Sequence, residues 1–220
     1  MEYLLMLGAN PYASNGSLAT APDWPGRLEG IRARGGKIVV VDPRRSRTAE
    51  SADEWLAIRP GADALLLAAM IATVFESGRA EPGEHLAGHL NGLEDVHRAL
   101  AEFTPERVEK QVGIDAATIR RIANELCNAK HAAVYGRIGT TTVSFGTTAS
   151  WLVDVLNVVT GNLDKEGGAM FPLPVAASPT TRGKKGIGKG FKTGRGKTRD
   201  RKSTRLNSSH EWISRMPSSA

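Results

Sequence analysis

The sequence predicts an α/β fold: a parallel sheet with helices on both faces, followed by a disordered basic tail. Three observations predict it. Short apolar runs that end in glycine or proline alternate with longer helical patterns, the order expected of a layered fold with parallel strands. The run Lys37-Ile38-Val39-Val40-Val41 is continuous and β-branched, as for a strand covered on both faces. From about Pro172 the patterning stops, and residues 183–197 interleave glycine with lysine and arginine, a composition that cannot bury a core. With 220 residues, 40% of them hydrophobic and 24% charged, the chain is long enough for one sizeable core or two small ones.

Each element has its own signal. Residues 3–7 are an apolar run closed by Gly8 and read as a buried strand. Residues 9–25 are rich in Pro, Ser, Asn and Gly without periodicity, which predicts a loop long enough to carry function. Leu28 and Ile31 mark a short helix stopped by Gly35-Gly36. The second strand covers residues 37–43, where Pro43 ends the ladder, and a third extended segment is expected at residues 54–58. Asp63 opens a strong helix over residues 64–77, with Gly78 as its stop. Residues 83–112 hold two short helices, one of them opened by Thr104-Pro105-Glu106 with proline at the first helical position. Ile114-Asp115 opens a helix to about residue 130, with Ile119, Ile122, Ala123 and Leu126 on one face. Residues 131–136 form another strand ending in glycine. Residues 146–160 form a helix ended by Gly161-Asn162. There is no internal repeat of the ~20–50-residue kind.

The formal charge of +6 is unevenly distributed: residues 181–220 hold 12 Lys+Arg against 2 Asp+Glu, and residues 1–180 hold 17 against 21. The body is mildly acidic, so a nucleic-acid interface would have to rest on the tail. Residues 176–200 are a Gly/Lys/Arg-rich irregular segment. Within residues 201–220, Arg201-Lys202-Ser203-Thr204-Arg205-Leu206-Asn207-Ser208-Ser209-His210 resembles translated adapter or vector sequence and reads as a cloning scar. The competing reading is a basic arm that binds nucleic acid. The single cysteine, Cys127, excludes an internal disulfide framework and a cysteine-only metal site built from this chain alone. No apolar run approaches the ~18 residues of a membrane helix. The first residues lack the basic and small-residue features of a signal peptide.

Candidate chemistry falls in loops at the carboxyl ends of predicted strands, the edge where open α/β sheets bind ligands. Gly8-Ala9-Asn10-Pro11 combines a glycine that admits close backbone approach with an amide donor and acceptor, although Asn-Pro also starts plain turns. Asp42-Pro43-Arg44-Arg45 puts an acid where a ribose hydroxyl is held in dinucleotide folds, with arginines that can pair with phosphate. A solvated basic turn would look the same. Gly-x-Gly-x-x-Gly is absent, which argues against a standard nicotinamide site. In Pro60-Gly61-Ala62-Asp63, Asp63 suits a helix N-cap and equally a carboxylate that accepts from the N1–H and amino edge of guanine. Arg137-Ile138-Gly139-Thr140-Thr141-Thr142 follows a strand and offers a cation and small hydroxyls; a βα loop with hydroxyl caps is the plain alternative. His85 and His89 are four apart but lack a third ligand, Cys127 reads as a small core residue, and neither Gly-x-Ser-x-Gly nor a P-loop occurs.

Taken together, "LGANP", "RARGGKIVVVDPRRSRTAESADEWLAIRPGADALLLAAM" and "YGRIGTTTVSFGTTASWLVDVLNVVTGNLDKEGGAMF" resemble the molybdopterin oxidoreductase family of the dimethyl sulfoxide reductase, formate dehydrogenase and nitrate reductase type. The resemblance covers about residues 3–171. It implies a Rossmann-like domain, over residues 1–175, that binds one guanine-dinucleotide arm of a bis-molybdopterin guanine dinucleotide carrying Mo or W. It implies that Gly8, Ala9 and Asn10 lie along the dinucleotide and that Asp42, Pro43 and Arg44 sit by ribose and base. Gly61, Ala62 and Asp63 would meet guanine, and Arg137, Ile138 and Gly139, with Thr142 nearby, would approach the pterin.

Family members carry a metal ligand, and many a 4Fe-4S cysteine cluster, upstream of the Gly-x-Asn-Pro strand. A later domain holds the second dinucleotide. The expectation is therefore an internal fragment of a catalytic subunit, inactive by itself and without catalytic or metal-ligating residues of its own. Its partners would be the cofactor, the other domains of the parent chain and electron-transfer subunits. The competing expectations are a stand-alone guanine-nucleotide or cofactor-binding module, and a nucleic-acid binder acting through the tail.

Overall fold

The computed structural model describes residues 1–16 and 22–170; the expected segments 176–200 and 201–220 lie outside the described residues. Four strands, β1 (Tyr3–Leu7), β2 (Lys37–Val41), β3 (Glu54–Leu56) and β4 (Ala132–Gly136), form one sheet in the order β3-β2-β1-β4. Every pairing is parallel, and Leu5 stands level with Val39 on one side and Val134 on the other. The chain steps outward from β1 to β3, then crosses back to lay β4 on the far side of β1. That reversal leaves a topological switch point between β1 and β4.

Between β1 and β2 lie α1 (Pro11–Ser14) and α2 (Trp24–Ala33), and between β2 and β3 lies α3 (Arg47–Ser51). The long connection from β3 to β4 holds α4 (Asp63–Glu76), a 3-10 turn (Glu84–Leu86), α5 (Leu93–Leu100), α6 (Pro105–Val112) and α7 (Ala116–Asn128). After β4 come α8 (Ile138–Thr141) and α9 (Gly146–Val159). The period of two along each strand sends alternate side chains to opposite faces. Tyr3, Leu5, Leu7, Val39, Val41, Ala132 and Val134 pack with Leu66 and Met70 of α4, Ile119 and Ile122 of α7, and Leu152 and Leu156 of α9. Leu4, Met6, Ile38, Val40 and Ala133 pack on the other face with Leu28 and Ile31 of α2 and Ala49 of α3. Both faces are dry, which explains why β2 reads as unbroken apolar sequence.

The two ends of the sheet are finished differently. At the amino end, Lys37 pairs with Glu125 (2.8 Å) and Glu54 (2.9 Å), and Arg121 bridges the same two carboxylates, tying β2 and β3 to α7. Along the outer edge of β4, helix α9 and the turn after it supply side chains in place of a strand. Asn157 Oδ1 accepts from the Val134 amide (2.9 Å), and its Nδ2 donates to the Val134 carbonyl (2.9 Å). Asn162 Oδ1 accepts from the Ala132 amide (3.2 Å). An exposed strand edge is an aggregation template, and these amides close this one.

The parallel layered fold is as predicted, with local differences. The expected loop at residues 9–25 contains α1 and the start of α2, where Asp23 caps the helix by accepting from the Gly26 amide (3.2 Å). The expected loop after β4 contains α8, and α3 sits between β2 and β3, capped by Ser46. These pieces of four to ten residues open on proline or run for about one turn, too short or too polar to print an apolar stripe. Asp63 is not an N-cap: Ala62 holds that position, and Asp63 is the first residue inside α4, its carboxylate making no capping bond.

Candidate cofactor-binding edge

Because all four strands are parallel, their carboxyl ends open on one edge. The loop containing Gly61 to Asp63 follows β3, Asp42 to Arg44 follow β2, Gly8 to Asn10 follow β1, and Arg137 to Thr142 follow β4. The four candidate loops are thus brought together in that spatial order. Three inter-strand steps of ~4.8 Å make the edge about 14 Å wide, the scale of an extended dinucleotide.

At the switch point the loops after β1 and β4 meet backbone to backbone. Gly8 has φ +59°, and a Cβ built on it would stand 2.7 Å from Gly139 Cα. One built on Gly139 would stand 2.6 Å from Gly8 Cα. Gly139 N donates to Gly8 O (3.1 Å), and Arg137 N donates to Leu7 O (3.0 Å). The Gly8 amide is spent on Val41 O (3.2 Å), so Gly8 contributes a missing side chain and not a donor. Ala9 is buried. Asn10 is held by a partner that sequence reasoning missed: Thr48 Oγ1 donates to Asn10 Oδ1 (2.7 Å) and accepts from the Tyr12 amide (3.2 Å). With Oδ1 occupied, the Asn10 amino group is the free half of the side chain.

After β2, Asp42 Oδ1 accepts from the Arg44 amide (2.8 Å), closing a tight turn, while Pro43 and Arg44 are exposed. Trp55 braces that turn by donating from Nε1 to Asp42 O (2.9 Å), and its ring carries the Arg45 guanidinium 5.8 Å from the centroid. Trp55 too was missed, because its contact crosses from β3. After β3, Gly61 has φ +84° with open space where a Cβ would project. Beside it Asp63 is only 5% exposed. Burial pushes its carboxyl above the usual carboxylate range, the backbone amide at the helix start pulls the other way, and the negative charge of Asp42 adds to the rise. No cation stands among these influences. A desolvated carboxylate without a partner is costly, and this one stands in the loop-to-helix junction at the carboxyl edge.

After β4, Arg137 is half-buried and forms no ion pair among the described residues. The hydroxyls that follow bond back to their own turn. Thr140 Oγ1 donates to Arg137 O (2.7 Å), and Thr141 and Thr142 donate to Ile138 O at 3.1 and 3.0 Å. They cap their own turn, as the plain reading expects. Ile138 is exposed. Trp24 stacks on Tyr135, with ring centroids 5.3 Å apart, and its buried Nε1 has no partner.

Among the other candidates, His85 lies in the 3-10 turn with Nε2 2.9 Å from Leu163 O. No cluster of three or more His, Cys, Asp or Glu suited to a metal occurs among the described residues. Cys127 packs against the core, and burial raises its thiol pKa. No helix among the described residues is long and apolar enough to cross a membrane.

A four-stranded parallel sheet flanked by helices, with its glycine contact at the switch point and its acids at the carboxyl edge, defines an α/β protein whose candidate ligand edge lies at the strands' carboxyl ends. Comparison with known proteins narrows this. A family model for molybdopterin oxidoreductase matches residues 2–217, and the chain belongs to that family. It is 30% identical over 172 residues to the F420-dependent formate dehydrogenase subunit alpha of Methanocaldococcus jannaschii, covering 78% of this chain and 24% of that protein. It is 32% identical over 173 residues to the thiosulfate reductase molybdopterin-containing subunit PhsA of Salmonella typhimurium, covering 76% and 21%. Among solved structures, acetylene hydratase from Pelobacter acetylenicus superimposes with a TM-score of 0.60 at 26% identity, covering 73% of this chain and 21% of that one. The chain therefore spans about a quarter or less of the length of these relatives. Membership of the family implies a molybdopterin-type cofactor with Mo or W.

Proposed function

We propose that this chain is the part of a molybdopterin oxidoreductase catalytic subunit that holds one guanine-dinucleotide arm of the cofactor. The observation that carries this reading is Asp63: a buried carboxylate with no cation, beside the open space at Gly61, on the carboxyl edge of the sheet. Guanine presents N1–H and an amino group side by side, and two carboxylate oxygens accept both. In this reading Asp42, Pro43 and Arg44 lie by ribose and base. Ala9 and Asn10 follow the diphosphate past the bare backbone of Gly8. Arg137, Ile138, Gly139 and Thr142 border the pterin. When bound, the cofactor's metal supplies the two-electron chemistry, while the protein supplies position and electrostatics.

The relatives favour a binding role for this region over a reaction-selecting one. A dehydrogenase, a reductase and a hydratase share it, so what they share is better suited to cradle a cofactor than to choose a substrate. The reading includes inactivity of this stretch alone, with the metal ligand, any 4Fe-4S cluster and the second dinucleotide site on other segments of a longer chain. Electron-transfer subunits would be partners of that longer protein.

The test is calorimetric titration of the chain with GDP, ADP and xanthosine diphosphate. GDP should bind more tightly than ADP by about 1–3 kcal/mol, the usual value of a bidentate base contact. Asp63→Asn should lose that preference and gain affinity for xanthosine diphosphate, whose 2-oxo group accepts where guanine donates. Equal binding of GDP and ADP, or unchanged GDP affinity in a folded Asp63→Asn, would overturn the assignment.

A further inference from the structure

At the end of the domain away from the candidate cofactor edge, the chain turns after α4, α7 and α9 surround a cleft of about 660 Å³. Its lining includes Arg79, Lys130 and Lys165, with Glu81 as its one carboxylate among the described residues. We propose that this cleft is a docking site for an acidic polypeptide segment of a partner protein.

The first argument is uncompensated charge. Arg32, Lys37, Arg98, Arg107, Arg120 and Arg121 all pair with carboxylates. Arg79, Lys130 and Lys165 form no ion pair among the described residues. Unpaired cations occur elsewhere in the body too; what sets these three apart is that they line one cleft with a single carboxylate, in a body where acids outnumber bases by 21 to 17 over residues 1–180. The second argument is pre-organisation. The Arg79 guanidinium is held by neutral acceptors on α7, Nη2 to Asn128 Oδ1 at 2.6 Å and Nη1 to Asn124 Oδ1 at 3.5 Å. It keeps its full charge and loses little freedom on binding, the circumstance in which a charged contact gains most.

Helix carbonyl ends attract cations, and that effect helps gather these three. It does not use them up. Backbone amides already take the terminal carbonyls: Gly78 to Phe75, Arg79 to Val74, Ala129 to Glu125, Thr160 to Leu156 and Gly161 to Val158. The occupant follows from the remaining lining. The volume exceeds a single inorganic anion. Glu81 in the wall would repel the continuous charge of a nucleic-acid backbone, yet suits a peptide that mixes carboxylates with amide donors. Gly78 lines the cleft with nothing within 4 Å of where a Cβ would stand, so a peptide backbone can approach there. Residues 181–220 of this same chain are excluded as the occupant by their own charge, 12 Lys+Arg against 2 Asp+Glu.

The experiment is an amide NMR titration of the isotope-labelled full chain with an acetylated tetraglutamate peptide, with citrate and inorganic phosphate as small-anion probes. The expected result is saturable shifts at Gly78, Gly83 and Gly161, stronger for the peptide than for either small anion and weakened by salt. Lys165→Gln and Arg79→Gln should each weaken binding about fivefold while leaving the amides of Gly8 and Gly61 in place, which confirms the fold. The inference is overturned if shifts are confined to residues 181–220. It is also overturned if the neutralising variants bind the peptide as the parent does, or if citrate or phosphate competes on equal terms, which would make the cleft a small-anion site. None of these outcomes depends on guanine binding.

Discussion

The sharpest test of the carboxyl edge compares two glycines with matched local cost. Gly61 has φ +84° and Gly35 has φ +82°, and neither has any atom within 4 Å of where a Cβ would stand. An alanine in the left-handed region costs about 1–2 kcal/mol, and the loss of glycine's freedom in the unfolded chain returns about 0.4–1 kcal/mol. Both Gly61→Ala and Gly35→Ala should therefore lower stability by the same amount, about 1 kcal/mol. They should part company in binding. The methyl at position 35 projects into solvent, whereas the methyl at position 61 projects beside Asp63, into the space proposed for the nucleotide, where an extra methyl costs about 1–3 kcal/mol. Urea unfolding followed by tryptophan fluorescence measures the first quantity and GDP calorimetry the second. The expected result is equal unfolding free energies with GDP affinity lost about tenfold or more in Gly61→Ala alone. Equal GDP affinity in the two variants would refute the placement of the ligand against Gly61.

Three further predictions follow from the same structure. Asn157→Leu leaves the amide and carbonyl of buried Val134 without partners; at about 1–3 kcal/mol each, less the leucine's apolar gain, the loss should be about 3 kcal/mol in urea unfolding, and a loss near zero would mean that water replaces the amide. Acid should destabilise the domain through Glu54 and Glu125: burial pushes both carboxyls up, hydrogen bonds from Arg121 and Lys37 more than offset it, and the folded-state values end below the ordinary range. Their stabilisation is present above the unfolded value and lost as pH falls through the folded one, so Glu54→Gln should flatten the thermal midpoint's fall below about pH 4.5. Asp63 has the opposite sign. Its raised folded value means stability is lost as pH rises past the ordinary carboxylate range, so Asp63→Asn should melt higher than the parent at pH 7, an advantage that vanishes on acidification; a lower melting point at pH 7 would show that the carboxylate stabilises the fold.

The sheet was legible because its strands are buried on both faces. Unbroken apolar runs at residues 3–7 and 38–41 are too short to cross a membrane and suit strands covered on both faces. Helix α7 was legible from Ile119, Ile122, Ala123 and Leu126, which do form its buried stripe. Helices α1, α3 and α8 were not, since one turn carries no period. The candidate loops were legible as strand ends, a consequence of parallel topology alone. What the sequence could not reveal are contacts between distant positions: Thr48 on Asn10, Trp55 on the Asp42 turn, and Gly8 against Gly139. Asn157 did leave a trace, as a lone amide inside the apolar run of α9, but its partner Val134 is set by how α9 docks on the edge strand. Asp63 shows the limit of local reasoning most directly. Its position before an apolar helix favours a cap, and the shift by one residue that turns a cap into an unpaired buried acid is a matter of backbone geometry.

The distribution of strain gives the functional reading its physical sense. Favourable pairings concentrate at the amino end, where Lys37, Glu54, Arg121 and Glu125 neutralise one another, and at the β4 edge, where Asn157 and Asn162 complete the ladder. The carboxyl end carries a desolvated acid at Asp63, left-handed glycines at positions 8 and 61, and the partnerless indole nitrogen of Trp24. The acid and the indole are each removable by an ordinary substitution. A ligand that brings paired donors to Asp63 and runs past Gly8 would convert these costs into contacts, and the rigid amino end is what keeps the four loops in register while it does so. The same reasoning sets the order of assembly. Burial raises the Asp63 carboxyl while the edge is empty, whereas a donor-bearing base favours its ionised form, so binding should strengthen with rising pH in the parent while remaining flat in Asp63→Asn. A flat profile in both would leave Asp63 ionised throughout and remove the link between burial and recognition.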